Sequence, residues 1–381
     1  MTSLLPRVLV AGVSVRSLAR SAIAAGYDVH TADGYGDRDL LEPVPGPIRH
    51  LTVSPFEPGA VASHVTMPYD AVAYTSNFEN HPDALEQLSA GRIILGNSPA
   101  VLRDVRHAER VHDVLECHGL SSPAVYGAAR DAVMHAPGRE LVAKPRRSGG
   151  GSGVRRWRPA DTLLEGELLQ EWVEGVPASL VFAADGHDAA PLGVTRQLVG
   201  DAEFGAAGHR WCGNLLGSPG APVLDAQAEV IVSAAAAAQA LTRAFGLRGI
   251  NGIDFISRNG EAVVIEVNPR WTAAVELVER SRGMSLFATH VAASEGAPLP
   301  VLPPEAGGVV GKAVVFAPAE CTLPNTDPWL ADEMIRDVPL SGTPVPRGAP
   351  ICTIFATGET AGTCYSSLAQ RARTVLQACL A

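Results

Sequence analysis

Apolar residues in the first quarter of the chain arrive in short unbroken runs, not in alternation with polar ones. Arg7 to Gly12 (R-V-L-V-A-G) predicts a strand buried on both faces with its turn, Ser14 to Ala25 a helix, and Tyr27 to Ala32 the next strand. The strands Ala71 to Tyr74 and Arg92 to Gly96, with a helix from His81 to Ser89 between them, continue the pattern. It predicts a doubly wound, Rossmann-like α/β domain over residues 1–105. A helix from Pro99 to His118 should stop at Gly119, with a linker starting at Leu120 to Pro123. Strands and hairpins around and after Lys144 predict a two-part α+β domain over 106–296. Within it, Val230 to Leu241 reads as a helix between Asp225, an N-cap, and Gly246, a C-terminal glycine. A Pro-rich linker, Ala297 to Pro304, leads to a small C-terminal α+β segment, 297–381. That segment should hold strands at Val309 to Phe316 and Pro350 to Ala356 and a helix from Ser366 to Leu380.

Composition narrows the function. Hydrophobic content of 46% and charged content of 18% describe a globular chain. A net charge of −10 argues against a nucleic-acid binder, while leaving room for a local basic pocket. The cysteines form no C-x-x-C pair, so they read as reduced thiols and not as a zinc site. No signal peptide is visible, and the alanine-rich helix is too short to span a bilayer. A cytoplasmic protein with no membrane or nucleic-acid partner is expected.

Two glycine patterns raise nucleotide chemistry. Gly12 follows a strand and opens a helix, and Asp33 stands where a ribose-binding acid would sit, but the next fingerprint positions are Ser14 and Ser17. That weakens a dehydrogenase reading and leaves a tight turn, or a helix N-terminus where Ser14 and Arg16 could receive a carboxylate. The second pattern, L-V-A-K-P-R-R-S-G-G-G-S-G-V-R-R-W from Leu141 to Trp157, puts Lys144 before the glycines. The usual phosphate loop has the lysine after them. In isolation the stretch is as compatible with a basic linker as with a phosphate cover.

The run from Arg248 to Arg270 is more informative. V-V-I-E-V-N-P-R places Glu266, Asn268 and Arg270 on one face of a strand, with Asp254 on the preceding strand. Oxygen ligands of this kind suit Mg²⁺; the alternative is a polar ladder on a half-exposed sheet. Hairpin register separates the two readings. A two-residue Asn259-Gly260 turn would pair Asp254 with Ile265 and put Asp254 and Glu266 on opposite faces. The metal reading therefore predicts a three-residue loop, Arg258 to Gly260, or one of the same parity.

Lysine before a glycine-rich loop, then Q-E-W-V-E-G, then I-D-F…I-E-V-N-P-R, in that order, resembles the ATP-grasp superfamily over about residues 100–295. Within it the chain looks like the carboxylate–amine ligase branch that includes tyramine–glutamate ligases of methanofuran biosynthesis. The resemblance implies ATP and Mg²⁺ (or Mn²⁺), activation of a carboxylate as an acyl phosphate, and capture by an amine with release of ADP and phosphate. It implies that Lys144 contacts ATP phosphates and that Gly149, Gly150, Gly151 and Gly153 form a lid over them. Backbone of Glu171 and Val173 would hold adenine, and Glu174 the ribose. Asp254, Glu266 and Asn268 would hold the metal, and Arg270 would stabilise the transferring phosphate. Arg106 would replace a second phosphate-binding lysine common in the superfamily.

Substrate candidates are Ser14, Arg16, Asn77, Glu79, Arg210, Trp211 and Glu276. The substrates are a small carboxylate and a small amine, and a homodimer remains open. The competing expectations are a bicarbonate-using carboxylase of the same fold, a non-catalytic nucleotide binder and an NAD-dependent dehydrogenase.

Overall fold

A computed structural model describes residues 5–42, 48–299, 301–303 and 306–380. Two residues of the expected Pro-rich linker, 300 and 304, lie outside the described residues. Strands β1 (Val8–Ala11), β2 (Val29–Asp33), β3 (His50–Thr52), β4 (Ala71–Tyr74) and β5 (Ile93–Leu95) form a parallel sheet in the order β3-β2-β1-β4-β5. β1, β2 and β4 are buried throughout, as their unbroken apolar runs require, and β3 was not legible in the sequence. The C-terminal edges of β1 and β4 open toward the rest of the chain, where ligands of such sheets bind.

The helix expected over Pro99 to His118 is in fact two, Pro99–Val105 and Ala108–Cys117. Its break carries neither glycine nor proline. His107 leaves the helical path there, with ψ 100°, and Arg106 just before it reaches Glu266 at 2.8 Å. Next come β6 (Val125–Tyr126), β7 (Leu141–Pro145), β8 (Arg155–Trp157) and β9 (Glu167–Glu171), a separate sheet in the order β6-β9-β7-β8. Its own core is only Ala132, Ala136, Leu141, Ala143, Trp157 and Leu169. Three large side chains contribute roughly 2–3 kcal/mol each before entropy is counted. This small sheet therefore depends on its attachments.

Strands β10 (Val176–Asp185), β11 (Ala189–Val199), β12 (Trp211–Gly217), β13 (Arg248–Arg258), β14 (Glu261–Asn268) and β15 (Val309–Phe316) belong to one antiparallel sheet. After β16 (Cys321–Thr322), β17 (Ile335–Arg336) and β18 (Pro344–Val345) comes β19 (Pro350–Gly358), and the large sheet reads β14-β13-β10-β11-β12-β15-β19-β17. It crosses the 296/297 boundary expected from the linker, because β15 pairs with β12. One face packs on helices Gln227–Phe245 and Ala361–Leu380. The other meets helices Val275–Arg282 and Phe287–Glu295 and, through them, the N-terminal domain.

Two helix starts differ from expectation. Gln227–Phe245 follows Ala226, in the left-handed region, and not Asp225; Gln227 Oε1 instead accepts from Val223 N–H at 2.8 Å. The last helix begins earlier than Ser366 because Thr360 and Thr363 cap each other reciprocally, each hydroxyl accepting the other's N–H at 3.2 and 3.0 Å.

Candidate active site

Residues directly opposed in an antiparallel pair share a face. Glu266, Asp254, Ser179 and Thr195 are opposed in turn across β14, β13, β10 and β11, so they form one polar row on the sheet. Gln197, Asn214 and Lys312 form a second row across β11, β12 and β15.

The hairpin that puts Asp254 beside Glu266 is not the expected one. The turn has two residues, Asn259 and Gly260, with φ +52° and +81°, and Arg258 pairs with Glu261. A local Asn-Gly preference thus decides the loop. Parity is restored farther along, where a β-bulge leaves Ile265 unpaired and shifts the register so that Asp254 opposes Glu266. The Ile265 carbonyl accepts from Lys144 Nζ at 3.3 Å and from Gln170 Nε2 at 3.4 Å. The small sheet therefore anchors the irregularity that assembles the site.

Above these rows lies a cleft of about 670 Å³ between the large sheet, the small sheet and the C-terminal edge of the first domain. At one end, Lys144 Nζ is held by two neutral oxygens, Ile265 O and Gln170 Oε1 at 3.1 Å, and among the described residues it makes no contact ion pair, its charge acting on Asp254 and Glu266 from farther off. Beside it stand the opposed carboxylates. Asp254 accepts from Gln197 Nε2 and Asn268 Nδ2, both at 2.8 Å. Burial, then the nearby Glu266 charge, pushes its carboxyl up to about 7. Burial also opposes charge on Glu266, but Arg106 foremost, then Lys144 and Arg270, hold that carboxyl below its usual range. Arg270 donates from Nε to Glu79 Oε1 at 2.7 Å and from Nη2 to Asn268 Oδ1 at 3.1 Å.

The glycine loop closes over this end. Gly150 O accepts the Trp211 N–H at 3.0 Å. A Cβ on Gly151, where φ is +75°, would lie 1.8 Å from His209 O. Glu171, Trp172 and Val173 edge the cleft beside Lys144.

At the other end Arg16 is buried and fully engaged. It donates to Glu276 through Nη1 at 2.7 Å and Nη2 at 2.9 Å, and through Nε to Asp337 at 2.7 Å, with Asp39 at 3.3 Å. Lys312 Nζ meets the same Glu276 at 2.9 Å. Burial works against the Glu276 charge, yet Arg16 and Lys312 hold it well below the ordinary carboxylate range.

Most expected residues meet in the cleft: Lys144, Gly149, Gly150, Gly151, Glu171, Val173, Asp254, Glu266, Asn268 and Arg270, with Ser14, Arg16, Asn77, Glu79 and Trp211. Others do not line it. Arg210 turns away, donating to Gly348 O at 2.6 Å and lying over the Phe316 ring, because the Trp211 N–H is tied to the glycine loop. Glu174 is exposed beyond the strand end. A Cβ on Gly153 would press on Pro145, so that glycine serves the loop's own turn. Glu276 is enclosed by its two cations. Arg106 lies behind the cleft, beside a cavity of about 60 Å³, and touches Glu266. Arg16 has no charge left for a substrate carboxylate.

Gly12 and Asp33 also have structural explanations. A Cβ on Gly12 would overlap Thr75 Oγ1 at 1.9 Å, and the buried Asp33 carboxylate takes the N–H groups of Gly36 at 2.8 Å and Tyr35 at 3.0 Å. Sequence reasoning missed Gln170, Gln197, Lys312 and Asp337. Only Lys312 left a local signal, a lysine within the apolar strand V-V-G-K-A-V-V-F.

Among the described residues no three of His, Cys, Asp and Glu gather as a metal cage. The set Asp254, Glu266 and Asn268 fits a different ion habit. Mg²⁺ takes oxygen donors, is held by one or two carboxylates, and fills its shell with water and phosphate. Two facing carboxylates, one of them raised to about 7, are what such a cation would relieve.

Residues 110–274 match a family model described as "ATP-grasp domain". No curated protein matches the sequence. Among solved structures, biotin carboxylase from Campylobacter jejuni superposes with a TM-score of 0.73 at 15% identity, over 96% of this chain and 91% of that one. A carboxyaminoimidazole ribonucleotide synthase from Aspergillus clavatus, complexed with ATP, gives 0.71 at 15% identity over 98% of each chain. An L-amino acid ligase from Bacillus licheniformis gives 0.67 at 15% identity over 97% of each. Among the described residues no helix is long and apolar enough to cross a membrane. Residues 110–274 match the ATP-grasp domain, and the chain shares its fold with these three enzymes over 96–98% of its length.

Proposed function

We propose that this chain is an ATP- and Mg²⁺-dependent carboxylate–amine ligase. The observation that carries the reading is the unspent Lys144 beside the opposed pair Asp254 and Glu266, under one glycine loop. A lysine without a contact ion pair has room for an anion and a repelling carboxylate pair calls for a cation; a nucleotide phosphate with its metal supplies both. Bound at Asp254, Glu266 and Asn268, Mg²⁺ would supply positive charge to the phosphate oxygens.

The chain's own groups do the remaining work. Lys144 holds the phosphates, and Glu171 and Val173 present backbone to adenine. Arg270, oriented by Glu79, faces charge developing on the γ-phosphoryl group as it passes to the substrate carboxylate and ADP leaves. A carboxylate of the site takes one proton from the ammonium, the freed nitrogen attacks the acyl carbon, the C–N bond forms, the C–O bond to phosphate breaks, and the nitrogen's second proton leaves with the phosphate. The glycine loop keeps water from the acyl phosphate meanwhile.

ADP release measured over a panel of acids and amines, with product mass, tests the reading. Lys144→Ala should impair turnover strongly and Glu266→Gln should abolish it; full activity in both removes the proposal. Because biotin carboxylase shares the fold, bicarbonate belongs in the acid panel. A carboxylated product formed without any amine would replace the ligase by a carboxylase.

A further inference from the structure

The end of the cleft remote from Lys144 has charge of one sign to spare. Two cationic side chains line the cleft there, Arg16 and Lys312. They are already paired with three carboxylates, Asp39, Asp337 and Glu276. No guanidinium or ammonium is left for a phosphate or a second substrate carboxylate. Two acidic oxygens are in the opposite condition. Asp337 lines the cleft and gives one oxygen to Arg16 at 2.7 Å, while its other oxygen has only a 3.5 Å contact. Glu79, 2% exposed and also lining the cleft, has no hydrogen-bond partner on Oε2. A buried acceptor of that kind is costly unless a donor meets it.

Asp337 is placed there deliberately by the fold. It follows the edge strand β17 and has φ +55°, a left-handed conformation that an aspartate adopts only when its surroundings hold it. The hold comes from the other end of the chain: Asp39 accepts the N–H groups of Asp337 at 3.1 Å and Val338 at 2.8 Å. The C-terminal segment thus presents one carboxylate to the cleft across a clamp with the first domain.

We infer that this end of the cleft is the acceptor subsite and takes the amine as a cation on Asp337, excluding acceptors that carry a phosphate or a free carboxylate. The inference rests on the ligase reading for the word acceptor, and the charge preference can be measured without turnover. The full chain with Mg·ADP is titrated with butylamine and benzylamine, the matching alcohols, β-alanine and phosphoethanolamine, with saturation-transfer NMR as the readout. Each amine should bind roughly tenfold or more tightly than its alcohol, the worth of one charge-assisted hydrogen bond, and phosphoethanolamine should bind most weakly.

Asp337→Asn should bring the amine to the level of its alcohol at an unchanged ADP affinity. If that variant fails to fold, the wild-type ratio of amine to alcohol still decides. A ratio near one, or tightest binding of phosphoethanolamine, overturns the inference. ADP release whose best acceptor is a phosphorylated amine overturns the subsite and keeps the ligase. Amine-selective binding with no ADP release from any acid supports the subsite and removes the ligase.

Discussion

The two ends of the cleft use the same residue types to opposite effect. Near Lys144, charge is only partly met: a lysine held by neutral oxygens stands near two carboxylates that face each other across a bulged hairpin, of which, among the described residues, Glu266 alone has an ion-pair partner, Arg106. Near Arg16, charges interlock: side chains only 4–8% exposed, Arg16, Glu276 and Lys312, make a lattice that leaves open only one oxygen of Asp337 at its edge. Unsatisfied charge costs stability and is useful only when a ligand completes it. Interlocked charge holds parts of the chain together and contributes little direct chemistry. Mutations should therefore separate: the first end should control turnover, the Arg16–Glu276–Lys312 lattice stability, and Asp337 at its edge the binding of the acceptor.

The sharpest break of this comparison is Glu266→Gln. It removes one of two repelling carboxylates while leaving an oxygen to accept from Arg106. Turnover should fall on the order of 10³-fold, as when a charged group is lost from a transition-state site. The urea midpoint should move less than in Glu276→Gln, because relief of the repulsion on Asp254 offsets the loss of Arg106's charged partner. Large unfolding with little loss of turnover per folded molecule would erase the distinction between the ends.

Glu276→Gln is the converse. It keeps the shape but leaves two buried cations short of their shared partner, which should cost about 3 kcal/mol of stability. Denaturant unfolding at neutral pH reads this directly. An unchanged midpoint would mean that the lattice is incidental.

The same contrast explains what the sequence could reveal. Residues that act along one strand were legible: Glu266, Asn268 and Arg270 alternate, and Lys144 precedes its glycines. So were the buried parallel strands, because burial on both faces leaves an unbroken apolar run. Pairings that cross the chain were not. Nothing near Arg16 announces Glu276, 260 positions later in the lattice, or Asp337, 321 later. The bulge at Ile265 was hidden for the same reason. Its carbonyl is secured by Lys144 and Gln170 on another sheet, while the adjacent Asn-Gly follows the ordinary two-residue turn rule. Arg210 looked like a substrate ligand because its neighbour Trp211 faces the cleft, but the backbone there is pinned by Gly150 and sends Arg210 outward.

A smaller effect separates the loop from the floor it covers. Gly151→Ala adds a Cβ 1.8 Å from His209 O at a φ of +75°, so the loop must leave its dock. KM for ATP should rise about tenfold, or about 1.4 kcal/mol, with the midpoint of global unfolding nearly unchanged. Limited proteolysis should show the 146–154 segment cleaved sooner. Equal protease resistance and an unaltered KM would mean that the docking contact contributes nothing to nucleotide binding.

The smallest effect tests, by pH, a buried histidine packed behind Trp271 of the cleft wall. His290 is buried against Trp271, accepts the Ile250 N–H on Nδ1 at 2.9 Å, and faces Leu95 O with Nε2 at 3.2 Å. The backbone donor on Nδ1 requires a neutral ring. Burial lowers its pKa from 6.5 to about 4, with only the Leu95 carbonyl pulling the other way. The unfolded chain therefore binds the extra proton first. Stability from this group is complete above about pH 6.5 and drains as pH falls toward 4. Between pH 7.5 and 5.5 the loss should be about 1.3 kcal/mol. In His290→Gln the amide can accept from Ile250 and donate to Leu95 without titrating, so the wild-type minus variant difference in unfolding free energy should itself change by that amount across the interval. A difference that stays flat would show that this histidine already carries its proton in the fold, and the neutral ring would be wrong.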